Sequence, residues 1–333
     1  MHSKMLREAG LSFHFHYRLS PKLYEANQIA IDQKFLKLYR KEEKNKMFDS
    51  IIKIRERCEK LLWFDTTAST SILEPEILPL VSNYYKGLVL KNLNSYLKPF
   101  YSNRIFSDYY HKIVGIKDND PIESLYVKSK PDLSKIKLFW NYSLGGSFGI
   151  KAKILNRLRE YLPLPYFYSI KLTPSEIQRP FDISCRISCK YERESIRFQR
   201  EKIIKILKSK FQLNSSPLSL YKYFKELRQT KISPSPFGWG EINYRDFEVI
   251  TCGAALMKPS MEHIHTWPDF YIKDKTYISH NWDLNDFEEK ISYFLINRNY
   301  SEIANNAQNL YRKYLYSKKG HDEFIERAIQ IFS

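Results

Sequence analysis

The sequence predicts an α/β protein of two domains with parallel sheets, a cleft between them and a helical C-terminal segment, and three observations predict it. Short apolar stretches alternate with charged helical ones through the first half, the rhythm of a parallel sheet covered on both faces. A strand, a glycine loop, a helix and a second strand follow one another between Lys231 and Met257, which is a βαβ unit. Beyond Leu284 three apolar stripes at helical spacing follow: Leu284, Phe287, Ile291 and Phe294; then Ile303, Ala307, Leu310 and Tyr314; then Phe324, Ala328 and Phe332.

The elements follow in chain order. Residues 1–10 read as a first helix, and 11–16, 28–32 and 60–65 as strands. Residues 35–59 read as a long helix, because Leu36, Tyr39, Met47, Ile51, Ile52 and Ile54 recur at near-helical spacing among Lys and Glu. Residues 74–116 are irregular, Lys117-Asp-Asn-Asp-Pro121 is a turn by composition, and 128–136, with Pro131 and Ser134, is a crossing towards the second domain. A strand is predicted at 138–142, broken by Gly145-Gly146-Ser147. Then come a strand at 181–190, a helix at 193–210 with Ile196, Ile203, Ile204 and Leu207 on one stripe, a turn at Asn214-Ser-Ser-Pro217 and a helix ending near Leu227. A strand at 231–233, a helix at 243–251 stopped by Gly253, and a strand at 254–257 complete the unit, with Asp283 and Ser301 as caps of the next two helices. The predicted divisions are 1–135, 136–315 and 316–333, the last a helix that crosses back to the first domain.

With 333 residues, 43% of them hydrophobic, the chain can form two ordinary cores, and its ten Gly and fifteen Pro exclude a low-complexity tail. The formal charge of +17 is spread along the whole chain, so the protein attracts polyanions through a broad field, and nucleic acid, an anionic membrane face and a phosphorylated small molecule all fit it. Four cysteines, Cys58, Cys185, Cys189 and Cys252, are too few for a disulfide framework, which predicts a reducing compartment. Cys185 and Cys189 share a strand face but have no second pair to complete a zinc site. No apolar run is long enough to span a bilayer, so a cytoplasmic location, with a peripheral position on the inner face of a membrane, is expected.

The chemistry concentrates between Ser235 and Pro259. Gly238 and Gly240 allow the backbone to approach a ligand closely, and the helix behind them offers free N–H groups and a positive dipole end to an anion. Arg245 and Lys258 add full charges, and Glu248 is placed to accept hydrogen bonds from the hydroxyls of a ribose. Glu241 and Tyr244 belong to the same cradle, and Arg186 and Arg200 are within reach of the diphosphate from neighbouring elements, with solvated helix or sheet-edge charges as their alternative role. A ligand-facing carboxylate, a candidate catalytic group, is expected at the carboxyl end of a strand, where Asp65 emerges before Thr66-Thr67, with a cap of the next turn as its alternative role; His111 is the second candidate for proton transfer, with a surface or packing histidine as the alternative. Trp267-Pro-Asp269 and His263 form a candidate second ligand loop.

This stretch resembles the donor-binding segment of the GT-B glycosyltransferases, near the group 1 and CgeB-like types and more loosely the exostosins. In those enzymes a glycine-rich loop leads to a helix with a Glu, then Cys-Gly or Ala-Gly, then an apolar strand. Glu248, Cys252-Gly253 and Ala254-Ala-Leu-Met257 follow that order, and Tyr277-Ile-Ser-His-Asn-Trp-Asp-Leu284 with the helices after it resembles the family's C-terminal end. The resemblance implies two Rossmann-like domains of the GT-B fold, with the donor-binding one second. It implies transfer of a sugar from a UDP- or GDP-linked donor to a glycan or glycolipid acceptor, as in polysaccharide biosynthesis. No metal and no other cofactor is implied, and no nucleic-acid partner. Two departures stand: the position eight before Glu248, where retaining members carry a second Glu, is Gly240, with Glu241 one residue off, and the chain opens on a helix rather than a strand. Retaining and inverting chemistry both remain open. Asp118-Asn-Asp120 has the spacing of a metal-binding Asp-x-Asp but lies in a turn rather than at the end of a buried strand. Two rival readings are a nucleic-acid-binding protein, on the charge and the interleaved aromatics, and a catalytically inactive GT-B-like interaction module.

Overall fold

The computed structural model describes residues 2–17, 19–34, 43–145, 172–211, 213 and 216–333. Among them are two four-stranded parallel sheets. The first runs in the order β1 (Gln28–Asp32), β2 (Lys60–Asp65), β3 (Asn83–Lys86), β5 (Ile136–Leu138). The second runs in the order β10 (Ile278–His280), β8 (Ala255–Pro259), β7 (Thr230–Pro234), β6 (Phe181–Ile183). An antiparallel pair joins the two halves: β4 (Leu88–Leu90) from the first lies against β9 (Ile264–Thr266) from the second, with Val89 opposite His265.

Each sheet has its own core. Ile29, Ile31, Leu61, Trp63 and Tyr84 pack with Met47, Ile51 and Ile54 of helix α2 (Lys44–Arg55) on the first. Ile183, Ile232, Ala255, Met257 and Ile278 pack on the second with Ile203 and Leu207 of α4 (Glu194–Phe211) and with Phe287 and Ile291 of α7 (Phe287–Ile296). A third and larger cluster contains Leu88, Phe106 and Tyr110 from the first half and Phe237, Phe247, Leu256 and Tyr311 from the second, so the seam between the halves is itself a hydrophobic core. Burial of that seam drives the halves together as the two sheet cores drive each half to fold.

The remaining helices are α1 (His2–Glu8), α3 (Ile105–Val114), α5 (Leu220–Leu227), α6 (Tyr244–Thr251), α8 (Tyr300–Tyr316) and α9 (Lys318–Phe332). Local chemistry sets their ends. Asn243 and Asp246 form a capping box at the start of α6, and Gly253, at φ +71°, ends it in the left-handed region where a side chain would be strained. Ser317 caps α9 through its hydroxyl, which accepts from the Gly320 amide. The last helix returns to the first sheet: Ile331 joins Leu62, Tyr85 and Phe139 in one cluster, the Phe332 and Phe64 rings stack at 5.7 Å, and Arg327 donates to the Leu138 carbonyl.

Several predicted elements differ from the structure. Residues 11–16 alternate like a strand but form none, and Phe13 and Phe15 stay on the surface. The strand predicted at 181–190 ends at Ile183: the Ser184 amide still donates to the Ile232 carbonyl of β7, and beyond it Arg186 turns towards Glu226. The strand predicted at 138–142 lies earlier, at β5, and pairs with β3 of the first sheet. The cap of α7 is Asp286 rather than Asp283, and Asn299 precedes α8 where Ser301 was expected. Leu36 and Tyr39 of the predicted long helix, Gly146-Ser147 and Asn214-Ser215 lie outside the described residues. No helix among the described residues is long and apolar enough to cross a membrane.

Candidate active site

The loop between β7 and α6 leaves the carboxyl end of a parallel strand, the end at which α/β sheets bind ligands. The Gly238 amide donates to the Gly240 carbonyl at 3.0 Å, which closes a tight turn with Trp239 at its tip. Gly240 touches the first half: a Cβ there would overlap the carbonyl of Ala68, so glycine is needed for the two halves to meet. At Gly238 a Cβ would crowd Asn243 Oδ1 and Arg200 Nη2.

Three guanidinium groups meet this turn, and a fourth, Arg245, lies near Arg200. Arg104, from the first half, donates from Nε to the Trp239 carbonyl at 3.1 Å and from Nη1 to the Ser102 carbonyl. Arg193 donates to Ser102 Oγ and lies 5.7 Å from the Trp239 ring. Arg200, on α4, donates from Nε to the Phe237 carbonyl at 2.8 Å and from Nη1 to the Ser188 carbonyl, and lies over the Tyr191 ring. Arg245, in the first turn of α6, reaches the Arg186 carbonyl and covers the Tyr223 ring, while its buried Nη1 has no hydrogen-bond partner among the described residues. Among the described residues none of the four forms an ion pair with a carboxylate; their contacts are carbonyls, a hydroxyl and ring faces. Burial and the charge of Arg193 press the Arg104 guanidinium down to about 10, although Glu241 and Asp118 pull the other way. Burial also lowers Arg200, and Arg245 adds to that effect against the opposing pull of Tyr191. A partly desolvated group of like charges is relieved by an anion, which makes the turn electrostatically suited to phosphate.

The other predicted residues take varied positions. Tyr244 is exposed at the start of α6, its ring 5.0 Å from that of Tyr142. Glu248 is buried and accepts from the Tyr223 hydroxyl at 3.0 Å. Lys258 lies in the interior, paired with Asp246 at 3.2 Å; both side chains have 0% exposure. Ser235 and Tyr271 also donate to Asp246, so this pair anchors the β7–α6 loop from beneath. Burial lowers Lys258, and Asp246 opposes the shift. Arg186 is gripped by both oxygens of Glu226. Glu241 is buried where the halves meet: the Thr70 amide donates to Oε2 at 3.0 Å and His263 Nε2 stands 3.8 Å from Oε1. Burial alone would raise its carboxyl, but His263 and the backbone amides of Thr70 and Glu241 itself outweigh burial and hold it below the usual range. At 3.8 Å the His263 contact is an ion-pair distance rather than a hydrogen bond, and both buried ring nitrogens have no hydrogen-bond partner among the described residues.

Asp65 and His111 are not brought to the turn. Asp65 is buried at the end of β2: Oδ1 accepts from the amide and hydroxyl of Thr67, and Oδ2 from Tyr84 Oη at 2.8 Å and Lys86 Nζ at 2.6 Å. Four donors fill its two oxygens. His111 stacks on Tyr101 with centroids 3.9 Å apart and its Nδ1 meets the Ile116 carbonyl at 2.8 Å. Asp118 caps α4, accepting from the amide and hydroxyl of Ser195, while Asp120 stays exposed. Sequence reasoning singled out Arg186, Arg200 and Arg245 but not Arg104 or Arg193. Arg104 comes from the other half of the chain, and no local pattern signals its arrival at Trp239. Two surface depressions, of about 510 Å³ beside Cys189 and Lys205 and about 560 Å³ beside Met5 and Tyr316, lie away from the turn.

No protein-family model and no curated protein matches the chain. Solved structures similar to it include TarM, at 11% identity and a TM-score of 0.34 over 82% of this chain and 55% of that one. A variant of S. aureus TarM in complex with fondaparinux, α-GlcNAc-glycerol and UDP is similar at 13% identity and a TM-score of 0.39, with the same coverage. An α-glucosyltransferase in complex with UDP-glucose and DNA containing an abasic site is similar at 11% identity and a TM-score of 0.35 over 92% of this chain and 80% of that one. The chain spans about half the length of the two TarM chains. At these TM-scores the likeness assigns the chain neither a fold family nor an activity.

Proposed function

We propose that the chain is a glycosyltransferase of the GT-B type that takes a nucleoside diphosphate sugar as donor and passes the sugar to a glycan or glycolipid acceptor without a metal ion. The observation that carries the reading is the set of Arg104, Arg193 and Arg200 at the turn of Gly238, Trp239 and Gly240, with Arg245 near Arg200, none of them paired with a carboxylate among the described residues. A sugar nucleotide leaves a diphosphate behind, and the leaving group gains charge as the glycosidic bond breaks. Fixed guanidinium groups and the N-terminal amides of a helix stabilise that charge more in the transition state than in the bound donor, which is the condition for catalysis. Three unit charges at the turn, with a fourth beside Arg200, exceed those of a single divalent ion, so the turn can neutralise a diphosphate on its own. Glu248 is assigned to the ribose and Tyr244 to the rim of the same site.

On this reading Asp246, Lys258 and Glu241 hold the loop in place. The acceptor approaches from the first half, which already contributes Arg104 and the Ala68 backbone to the seam. The net charge of +17 draws anionic donors, and anionic membrane surfaces, towards the protein.

A thermal-unfolding screen against UDP, GDP, ADP, CMP and pyrophosphate tests the reading. One nucleoside diphosphate should raise the midpoint and pyrophosphate should raise it less, since a ligand of the folded state stabilises it by mass action. Hydrolysis or transfer from the matching sugar nucleotide should follow. Binding without turnover would reduce the protein to a binding module, and the absence of any shift would remove the donor site altogether.

A further inference from the structure

Trp239 stands out in its surroundings. Phe237, Gly238, Gly240 and Glu241 are buried, whereas Trp239 between them is 47% exposed. It is not loose. Its carbonyl is held by Arg104, the turn beneath it is closed by the Gly238 amide, and its ring lies 5.4 Å from the guanidinium carbon of Arg104 and 5.7 Å from that of Arg193. The Tyr191 ring, 5.5 Å away, completes the contact set. An isolated exposed aromatic is unremarkable on a protein surface, but this one is contacted by two guanidinium groups and a second ring where the two halves of the chain meet.

We propose that Trp239 is a stacking platform for the sugar ring of the donor, which makes it a specificity-determining residue; the inference rests on the reading of the arginine turn as the diphosphate site. The indole contacts two of the four guanidinium groups. An anion bridging Arg104 and Arg193 therefore lies beside the ring, and the group attached directly to the terminal phosphate of a sugar nucleotide is the sugar. The base is further off, separated from the phosphates by the ribose. A pyranose presents a face of C–H bonds to an electron-rich ring, and a platform held rigid before binding loses little entropy when the sugar arrives. The two glycines have a clear part in this: Gly240 lets the turn press against Ala68, so that the only large side chain of the turn faces outward.

The test is calorimetric titration of the whole chain with UDP, GDP and ADP and with UDP-glucose, GDP-mannose and ADP-glucose, for the wild type, Trp239→Ala and Trp239→Phe. The wild type should bind one sugar nucleotide more tightly than the bare nucleotide. Trp239→Ala should lose about tenfold in affinity for the sugar nucleotide, the scale of one lost stacking face, and keep its affinity for the nucleotide. Trp239→Phe should recover most of the loss. Equal weakening of both ligands would move the platform to the base and overturn the proposal, as would no change in either. A wild type that binds none of the six would overturn the donor-site reading itself, and this inference with it, whereas the two preceding outcomes leave that reading standing. Thermal unfolding of both variants near the wild-type midpoint confirms that the turn survives the substitution.

Discussion

The carboxyl ends of the two parallel sheets handle positive charge in opposite ways. At the first sheet, Lys86 ends β3 beside Asp65 at the end of β2, with Tyr84 and Thr67 filling the remaining hydrogen bonds; the charge is cancelled inside the protein. At the second sheet, Arg104, Arg193, Arg200 and Arg245 gather beyond β7 on carbonyls, a hydroxyl and rings. The second sheet does contain a cancelled pair, Lys258 with Asp246, but it lies beneath the loop. On the proposed reading the contrast separates strand ends that serve the fold from those open to a ligand: a buried cation with its own carboxylate is complete, and a cluster without one among the described residues is completed by an anion from outside.

The largest expected effect is at the first sheet. Asp65→Ala leaves Lys86 buried without its partner, which should cost roughly 3–5 kcal/mol of unfolding free energy in a urea melt. Where the variant still folds, nucleotide affinity should stay unchanged. A stable Asp65→Asn variant that binds donor but does not turn it over would erase the contrast and place Asp65 in the chemistry. The next effect is at the second sheet. Arg200→Gln should weaken nucleoside diphosphate binding by about 1.5–3 kcal/mol, the worth of a hydrogen bond to a charged group, which is roughly ten- to a hundredfold. Its unfolding free energy without ligand should change much less than that of Asp65→Ala, because removing one of several like charges offsets the lost contacts to Phe237 and Ser188. An Arg200→Gln variant as unstable as Asp65→Ala, with unaltered affinity, would make the arginines a structural cluster.

The sequence reveals these two sheet ends unequally. Strand β2 is readable because an apolar run buried on both faces looks alike wherever it occurs, β1 because buried Ile29 and Ile31 alternate with exposed residues, and α6 from its cap, its periodicity and Gly253. The segment at 11–16 has the alternation of a strand but finds no neighbour to pair with, and alternation states a preference rather than a partner. Asp65 looks like a ligand-facing carboxylate until Lys86, twenty-one residues later, arrives beside it on the next strand. Arg104 likewise reaches Trp239 across 135 positions of sequence. Non-local pairings of this kind decide whether a charge is spent inside the fold, and no local pattern encodes them.

A smaller effect sharpens the contrast through pH. His280, at the end of β10, is buried with Nδ1 on the Asn281 carbonyl, and burial lowers it to about 3, with Lys258 adding to the shift. Below its ordinary value near 6.5 the unfolded chain takes up a proton that the folded protein refuses. Stability contributed by the neutral ring is therefore complete above about pH 6.5 and is lost as pH falls towards 3, at up to about 1.4 kcal/mol per pH unit. Over the first unit of that interval the expected loss is about 1 kcal/mol, and His280→Gln should flatten this part of the profile. An unaltered profile in the variant would show that the interior beside β10 accepts a second cation beside Lys258, contrary to the pattern of the two sheets.

The smallest expected effect concerns Asp118, whose spacing to Asp120 imitates a metal-binding pair. Its carboxylate receives the amide and hydroxyl of Ser195 and so caps α4, the helix that carries Arg200 and begins one residue after Arg193. Loss of a cap costs about 1 kcal/mol, so Asp118→Ala should lower unfolding free energy by that amount and weaken nucleoside diphosphate binding only slightly, through a frayed first turn. Removing the carboxylate also takes away a favourable field at Arg104, which makes the cluster more anion-hungry and offsets part of the fraying. A metal role predicts the reverse order of effects: donor affinity that rises with added Mg²⁺ or Mn²⁺ in the wild type and loses that dependence in Asp118→Ala. The two outcomes separate cleanly in titrations with and without EDTA. Metal-dependent affinity would show that the second sheet's arginines work together with a cation rather than in place of one.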